Sequence, residues 1–101
     1  MARKRVMSGP TVAVLAALAD GVSYGFDIMD ATGLASGTVY PILARLEARG
    51  LAESSWEDPR AHRAEGRPAR RYYRITAKGR SALATELERF RALGLLLPRL
   101  A

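Results

Sequence analysis

Apolar residues along this chain recur first at the period of a helix, then at the period of a strand, then again at that of a helix. Thr11 to Ala19 is apolar almost all round, which predicts a buried first helix. Gly9-Pro10 opens it, since proline tolerates the first turn, and Asp20-Gly21 ends it. Ser23 suits the N-cap of a second helix running from Tyr24 to about Ala31. Phe26 and Met29 are expected inside with Ile28 at the margin, and Asp27 and Asp30 outside. Thr32-Gly33 breaks this helix, and a third begins at Ser36, again a capping residue. Two short helices joined by a tight glycine-containing turn form the helix-turn-helix pattern.

The third helix, about Gly37 to Arg49 with Gly50 as its stop, has two distinct faces. Val39, Ile42, Leu43 and Leu46 fall at i, i+3, i+4 and i+7 and make one apolar stripe. Gly37, Pro41, Ala44 and Ala48 make a low, smooth opposite face. Thr38, Arg45 and Arg49 flank it on one side, Tyr40 and Glu47 on the other. Taken alone, such a helix is either a surface helix with alanines chosen for propensity or one built to lie close against a partner. Pro41 denies an amide to the Gly37 carbonyl, which a loose or 3₁₀-like start would absorb.

Beyond Gly50 the alternation shortens to two. Leu51 to Trp56 and Arg70 to Ile75 read as strands, with Tyr72 and Tyr73 on opposite faces of the second. The 14 residues from Glu57 to Arg70 are highly charged and contain Pro59, Gly66 and Pro68. A hairpin with a basic tip after a helix-turn-helix is a wing. Thr76 caps a last helix from Ala77 to about Leu97, stopped by Pro98. In it Leu83, Leu87, Phe90, Leu93 and Leu97 follow a coiled-coil-like spacing. A domain this small has little left to bury against that seam, so a second copy of the chain is the expected partner, although folding back onto the first helix would use the same residues.

Charge narrows the picture further. The chain has 101 residues and a formal net charge of +6. Three of those charges are Arg3, Lys4 and Arg5, in an arm over residues 1–9 without periodicity. Three more are the excess of Arg60, Arg63, Arg67, Arg70, Arg71 and Arg74 over Glu57, Asp58 and Glu65. Elsewhere acids and bases cancel. Positive charge confined to one tail and one hairpin is the footprint of a polyanion binder. There are no cysteines, which fits a reducing cytosol. No apolar run approaches the ~20 residues of a membrane span, and no signal-peptide pattern is present.

Enzyme chemistry has little to stand on. His62 is the only histidine, no carboxylates pair at a convincing spacing, and no glycine-rich phosphate loop occurs. Glu57 and Asp58 near His62 lack the further ligands of a metal site. No catalytic residue, cofactor or metal is expected. Nucleic-acid binding, by contrast, has candidates with a mechanism. Ser36 and Thr38 bring hydroxyls and helix-start amides to one point, and Gly37 permits close approach. Tyr40 offers a hydroxyl to a phosphate, or packs as a half-buried ring. Arg45 can reach a guanine edge or a phosphate. Arg67, Arg70 and Arg71 are placed for the DNA backbone or minor groove. Trp56 is either a strand-face packing residue or the wall of a small-molecule pocket.

Two runs carry a family resemblance. Gly33-Leu34-Ala35-Ser36-Gly37-Thr38-Val39-Tyr40-Pro41-Ile42-Leu43-Ala44-Arg45-Leu46-Glu47 resembles the recognition region of PadR-like transcriptional regulators. Gly66-Arg67-Pro68-Ala69-Arg70-Arg71-Tyr72-Tyr73-Arg74-Ile75-Thr76-Ala77-Lys78-Gly79-Arg80 is similar to that family's wing strand and following helix. Leu15 to Gly21 followed by Tyr24-Gly25-Phe26 is similar to its opening, so the likeness spans roughly residues 10–85 in order. It implies an α+β, mostly α fold: a winged helix-turn-helix over residues 10–76, with three helices and a two-stranded antiparallel wing, then a dimerisation helix over 77–101. It implies a cytoplasmic, nucleoid-associated homodimer that binds double-stranded DNA at a near-palindromic operator and represses. Family members often release DNA on meeting a phenolic acid, a drug or another small molecule. Tyr24 stands where many members have a histidine and joins Pro41 among the expected DNA-side residues. The link between the second helix and the turn is short. The last helix lacks the tryptophan that some relatives use to sandwich ligands, which leaves Trp56 as the candidate effector contact. The competing reading is a winged-helix interaction module that uses its apolar last helix and no DNA.

Overall fold

The computed structural model describes residues 6–94. Arg3, Lys4, Arg5, Leu97 and Pro98 lie outside the described residues. The elements run α1 (Gly9–Ala19), α2 (Gly25–Thr32), α3 (Ser36–Ala48), β1 (Ala52–Trp56), α4 (Pro59–Ala64), β2 (Arg71–Ile75) and α5 (Ala77–Ala92). α1 is the hub. Val12, Val14, Leu15, Ala17 and Leu18 are all buried, and the helix touches α2, α3, α5 and β2. Being apolar on every side, it can take neighbours on every side. Packing begins earlier than expected, because Met7 is buried and the Ser8 hydroxyl accepts the Thr11 amide at 3.3 Å. The expected arm through residue 9 therefore belongs to the domain from Met7 onward.

The second helix departs from expectation at both its start and its face. Ser23 does not cap it; the helix starts at Gly25, with Tyr24 as an N-cap that makes no side-chain bond. The Ser23 carbonyl instead takes the Tyr73 amide at 2.8 Å, and Tyr24 forms an antiparallel bridge with Tyr72. Pairing with β2 occupies the Ser23 backbone and places it one residue outside the cap position, so its hydroxyl does not reach the first helical amides. The buried face is set by Gly25 and Ile28, three residues apart. Phe26 falls off that face and is 62% exposed, not inward. Gly33, at φ 73°, closes the helix in the left-handed conformation.

In α3 the apolar stripe is buried as its spacing predicts, with Val39, Ile42, Leu43 and Leu46 all in the core. Ser36 is not the cap. That position falls to Ala35, which has no side-chain acceptor, so Ser36 is the first helical residue and is exposed. The helix continues through Pro41. Its far end is fastened to α5: Lys78 Nζ donates to the Arg49 carbonyl at 3.0 Å, and the Thr76 hydroxyl donates to the Gly50 carbonyl at 2.7 Å. α5 lies so close here that a Cβ on Gly79 would sit 2.1 Å from the Leu51 carbonyl oxygen. Only glycine fits that approach.

β1 and β2 pair antiparallel from Ala52↔Ile75 to Trp56↔Arg71. The residues between them do not form one open loop. Asp58 accepts the Arg60 amide at 2.9 Å and Pro59 sits at the first turn, so Pro59–Ala64 forms α4. In α5 the expected dimer seam divides. Leu83 is buried in the chain's own core and Phe90 packs against it, whereas Leu87 and Leu93 are exposed. Glu86 is buried and pairs with Arg89 at 2.9 Å, whose guanidinium lies over the Phe90 ring. Among the described residues no helix is long and apolar enough to cross a membrane.

Candidate nucleic-acid interface

The outward face of α3 is bare. Ser36, Gly37, Thr38, Pro41, Ala44 and Ala48 are all exposed, and nothing lies within 4 Å of the position a Gly37 Cβ would take. With Ala35 at the cap, no side chain claims the first helical amides. The N-terminus of α3 thus presents donors and the positive end of its dipole together. Arg45 is exposed at the edge of the face and Arg49 follows one turn on; neither makes an ion pair among the described residues. Tyr40 packs against α2, where a Cβ on Gly25 would lie 2.4 Å from its hydroxyl oxygen. The ring therefore sets the spacing of the two helices, although the residue as a whole is 42% exposed. A smooth helix with a donor-rich start and flanking cations has the shape and charge to enter a major groove.

The wing is built differently. Glu57 organises its tip: Arg67 Nη1 and Nη2 each donate to a Glu57 carboxylate oxygen at 2.7 Å. The Arg70 amide donates to Glu57 at 3.2 Å and the Tyr72 hydroxyl at 3.3 Å. The Arg67 hydrogen bonds outweigh desolvation and hold the Glu57 carboxyl at about 2, down from the ordinary 4.5. Arg67 also pairs with Glu65, and its carbonyl meets His62 Nδ1 at 3.1 Å. Its side chain is only 21% exposed. Arg67, expected on DNA, is occupied in closing the wing tip.

Arg60 pairs with Asp58, Arg71 with Glu47 and Arg74 with Glu53. Arg70 makes no ion pair among the described residues, and its guanidinium lies 4.7 Å from the Tyr24 ring centroid. Tyr24, Phe26 and Tyr72 form an aromatic cluster beside it, with Tyr24 6.0 Å from each of the other two rings. The structure thus brings Tyr24 and Arg70 together at the junction of α2 and the wing. Trp56 is 64% exposed at the end of β1, under the Arg71 guanidinium at 5.5 Å. It is not a packed strand-face residue, and it lines neither of two surface grooves. One, of ≈ 390 Å³, lies on the sheet between Ser23, Glu53, Ser55, Tyr72 and Arg74; the other, of ≈ 490 Å³, lies along α5 between Ala84, Glu88 and Ala92. Among the described residues no cluster of His, Cys, Asp or Glu could hold a metal ion.

Sequence reasoning passed over Gly25 and the partnership of Glu47. Glu47 was visible as a flank residue of α3, but its partner Arg71 lies 24 positions away, beyond any local spacing rule.

Comparison with known proteins agrees with this geometry. The model of the transcriptional regulator PadR-like family matches residues 14–85. A PadR-like transcription factor from Bacteroides fragilis superposes with a TM-score of 0.72 at 26% identity, covering 83% of this chain and 82% of that one. A PadR family transcription regulator from Clostridium difficile shares the fold, with a TM-score of 0.73 at 22% identity over 86% of this chain and 92% of its own. BpsR of Bordetella bronchiseptica, whose DNA binding is regulated by 6-hydroxynicotinic acid, superposes with a TM-score of 0.67 at 26% identity, covering 91% of this chain and 65% of BpsR. No curated protein matches.

Proposed function

Since the chain belongs to the PadR-like family of transcriptional regulators and is not an enzyme, we propose that it is a homodimeric, sequence-specific repressor whose α3 enters the major groove of an operator. The observation that carries this reading is the outer face of α3, bare from Gly37 to Ala48 and edged by Arg45 and Arg49 without carboxylate partners among the described residues. Ser36, Thr38 and Tyr40 would take phosphates near the helix start. Arg70, beside Tyr24, is the wing residue best placed for the DNA backbone. Leu87 on α5 and Leu93 at its C-cap, both exposed, would meet a second copy. Two α3 helices would then read half-sites about one helical turn apart, ~34 Å, in a near-palindrome.

BpsR supports an effector-responsive version of this reading. A small aromatic effector would find the exposed Trp56 indole and the Arg71 cation side by side. The fastening of the α3 end to the α5 start through Lys78, Thr76 and Gly79 would pass a change of dimer angle to the reading helix. Selection of bound genomic fragments with the purified protein, followed by gel shift on the region upstream of its own gene, tests the proposal. Enrichment of a near-palindromic sequence is expected; binding no tighter than to random duplex would overturn it.

A further inference from the structure

Arg71 was expected to touch DNA, yet its guanidinium, on a side chain 41% exposed, contacts several groups of its own chain. Nε and Nη2 donate to Ser54 Oγ at 3.0 and 2.7 Å. Nη2 also lies 3.3 and 3.4 Å from the two oxygens of Glu47. Ser54 Oγ, accepting from Arg71, passes its own proton toward Glu47 at 2.5 Å. The guanidinium stacks near the rings of Trp56 at 5.5 Å and Tyr73 at 5.8 Å. One cation thus ties together α3 through Glu47, β1 through Ser54 and Trp56, and its own strand β2.

The place of this cluster matters as much as its bonds. The apolar attachment of the wing runs through Leu51, Ala52, Ile75 and Tyr73, all buried, and the Tyr24–Tyr72 bridge with the Tyr73 amide on the Ser23 carbonyl ties the same stretch to the start of α2. Arg71 pairs with Trp56, four residues along β1 from Ala52, which is about 13 Å further out at ~3.3 Å per residue. A two-stranded ribbon twists and is marginal by itself, and these attachments leave its outer end, at the Trp56–Arg71 pair, without an apolar one. A contact to the last turn of α3 at that distance fixes its angle. Glu47 would otherwise be an unpaired acid on the flank of a DNA-facing helix, and Arg71 covers it.

The geometry points to Arg71 as a positioning residue: with Glu47 and Ser54 it latches the wing to the reading helix and sets the angle at which the two meet DNA. This rests on the DNA-binding reading of α3, and two measurements separate them. The first needs no DNA. Trp56 is the only tryptophan, so its emission and acrylamide quenching report the latch directly. Glu47→Ala and Arg71→Ala should shift both in the same direction while the circular-dichroism spectrum stays that of the parent; an unchanged Trp56 signal in Glu47→Ala overturns the latch. The second is operator affinity. Both single variants should bind on the order of tenfold more weakly, the double variant no worse than either, and the swap E47R/R71E should recover most of the loss. If Arg71 instead grips a phosphate, removing the acid Glu47 leaves binding unchanged or tightens it, the effects add, and the swap stays defective; any of these overturns the proposal. Should the parent protein select no operator at all, the reading of α3 fails, while the Trp56 measurement still decides the latch.

Discussion

α3 and the wing carry positive charge in opposite ways. α3 carries Arg45 and, at its C-cap, Arg49, and neither meets a carboxylate among the described residues. The wing region has six, and four of them do: Arg60 with Asp58, Arg67 with Glu57 and Glu65, Arg71 with Glu47, and Arg74 with Glu53. Only Arg63 and Arg70 remain without such a partner there. A paired cation acts at a distance as a dipole, whose field falls off faster than that of a lone charge, while salt screens both over a Debye length of ~8–10 Å. The region with the larger formal charge is therefore not the region with proportionately more attraction for a polyanion. In this chain much of the wing's arginine content holds a small hairpin together, and the sparser helix keeps its charge available.

The sharpest break of that comparison is Arg45→Ala. If Arg45 reads a base edge in bidentate fashion, its loss removes about 1–3 kcal/mol of discrimination. Operator affinity should fall by more than affinity for random duplex, with the melting curve unchanged. Equal loss on both duplexes would reassign Arg45 to a phosphate, and no loss on either would remove it from the interface.

Within the wing, Arg70→Ala and Arg67→Ala should part company. Arg70 has no carboxylate partner, so its removal should lower the slope of log affinity against log salt by ~0.9, one phosphate contact. Arg67 is held by Glu57 and Glu65, so its removal should leave the slope alone while amides at the wing tip, including that of Arg70, exchange faster. A slope lowered by Arg67→Ala and untouched by Arg70→Ala would reverse the assignment.

A smaller effect follows from Glu57. Its carboxyl lies at about 2 in the folded wing against an ordinary 4.5. A carboxylate depressed on folding stabilises the folded form above its ordinary value, and that contribution is lost as the pH falls through the folded one. Chemical shifts of wing-tip amides should accordingly titrate with a midpoint at about pH 2, the folded value, toward those of a loosened tip. In Glu57→Gln this transition should be missing and the tip already loose at neutral pH. Identical titrations in parent and variant would separate Glu57 from the stability of the tip.

What could be read beforehand follows the range of the interactions. The stripe Val39, Ile42, Leu43, Leu46 is a local pattern, and all four are buried. The strands and the Thr76 cap are equally local, and the Thr76 hydroxyl accepts the Gly79 amide at 3.0 Å. Ser23 and Ser36 carry sound capping chemistry, but at Ser23 a tertiary pairing with β2 claims the backbone, and at Ser36 the helix begins one residue early. α4 had a local signal in Asp58-Pro59, masked by Gly66 and Pro68 close behind it. The seam on α5 was ambiguous in principle, since the spacing of Leu83, Leu87, Phe90 and Leu93 serves a core and a dimer equally well. The pairs Arg67–Glu57 and Arg71–Glu47 span 10 and 24 positions, so only the folded chain brings them together. The candidate site was legible in residue types; how those residues divide between reading DNA and holding the wing was not.

The least effect is expected at an ion pair that looks strong on distance alone. Arg74 meets Glu53 at 2.6 Å across the sheet, yet its side chain is 80% exposed. Water and salt screen such a pair, and ordering two long side chains offsets most of its attraction, so exposed pairs contribute ~0–1 kcal/mol. Arg74→Ala should change stability by no more than ~0.5 kcal/mol. Because the pair is loose, Arg74 could exchange Glu53 for a phosphate if DNA came within reach of that face of the sheet. The salt slope of Arg74→Ala therefore tests how far along the wing the DNA extends. An unchanged slope confines contact to the stretch around Arg70 and Tyr24, whereas a drop of ~0.9 extends it along the same face of β2 toward the base of the wing and narrows the contrast between the wing and α3 by one cation.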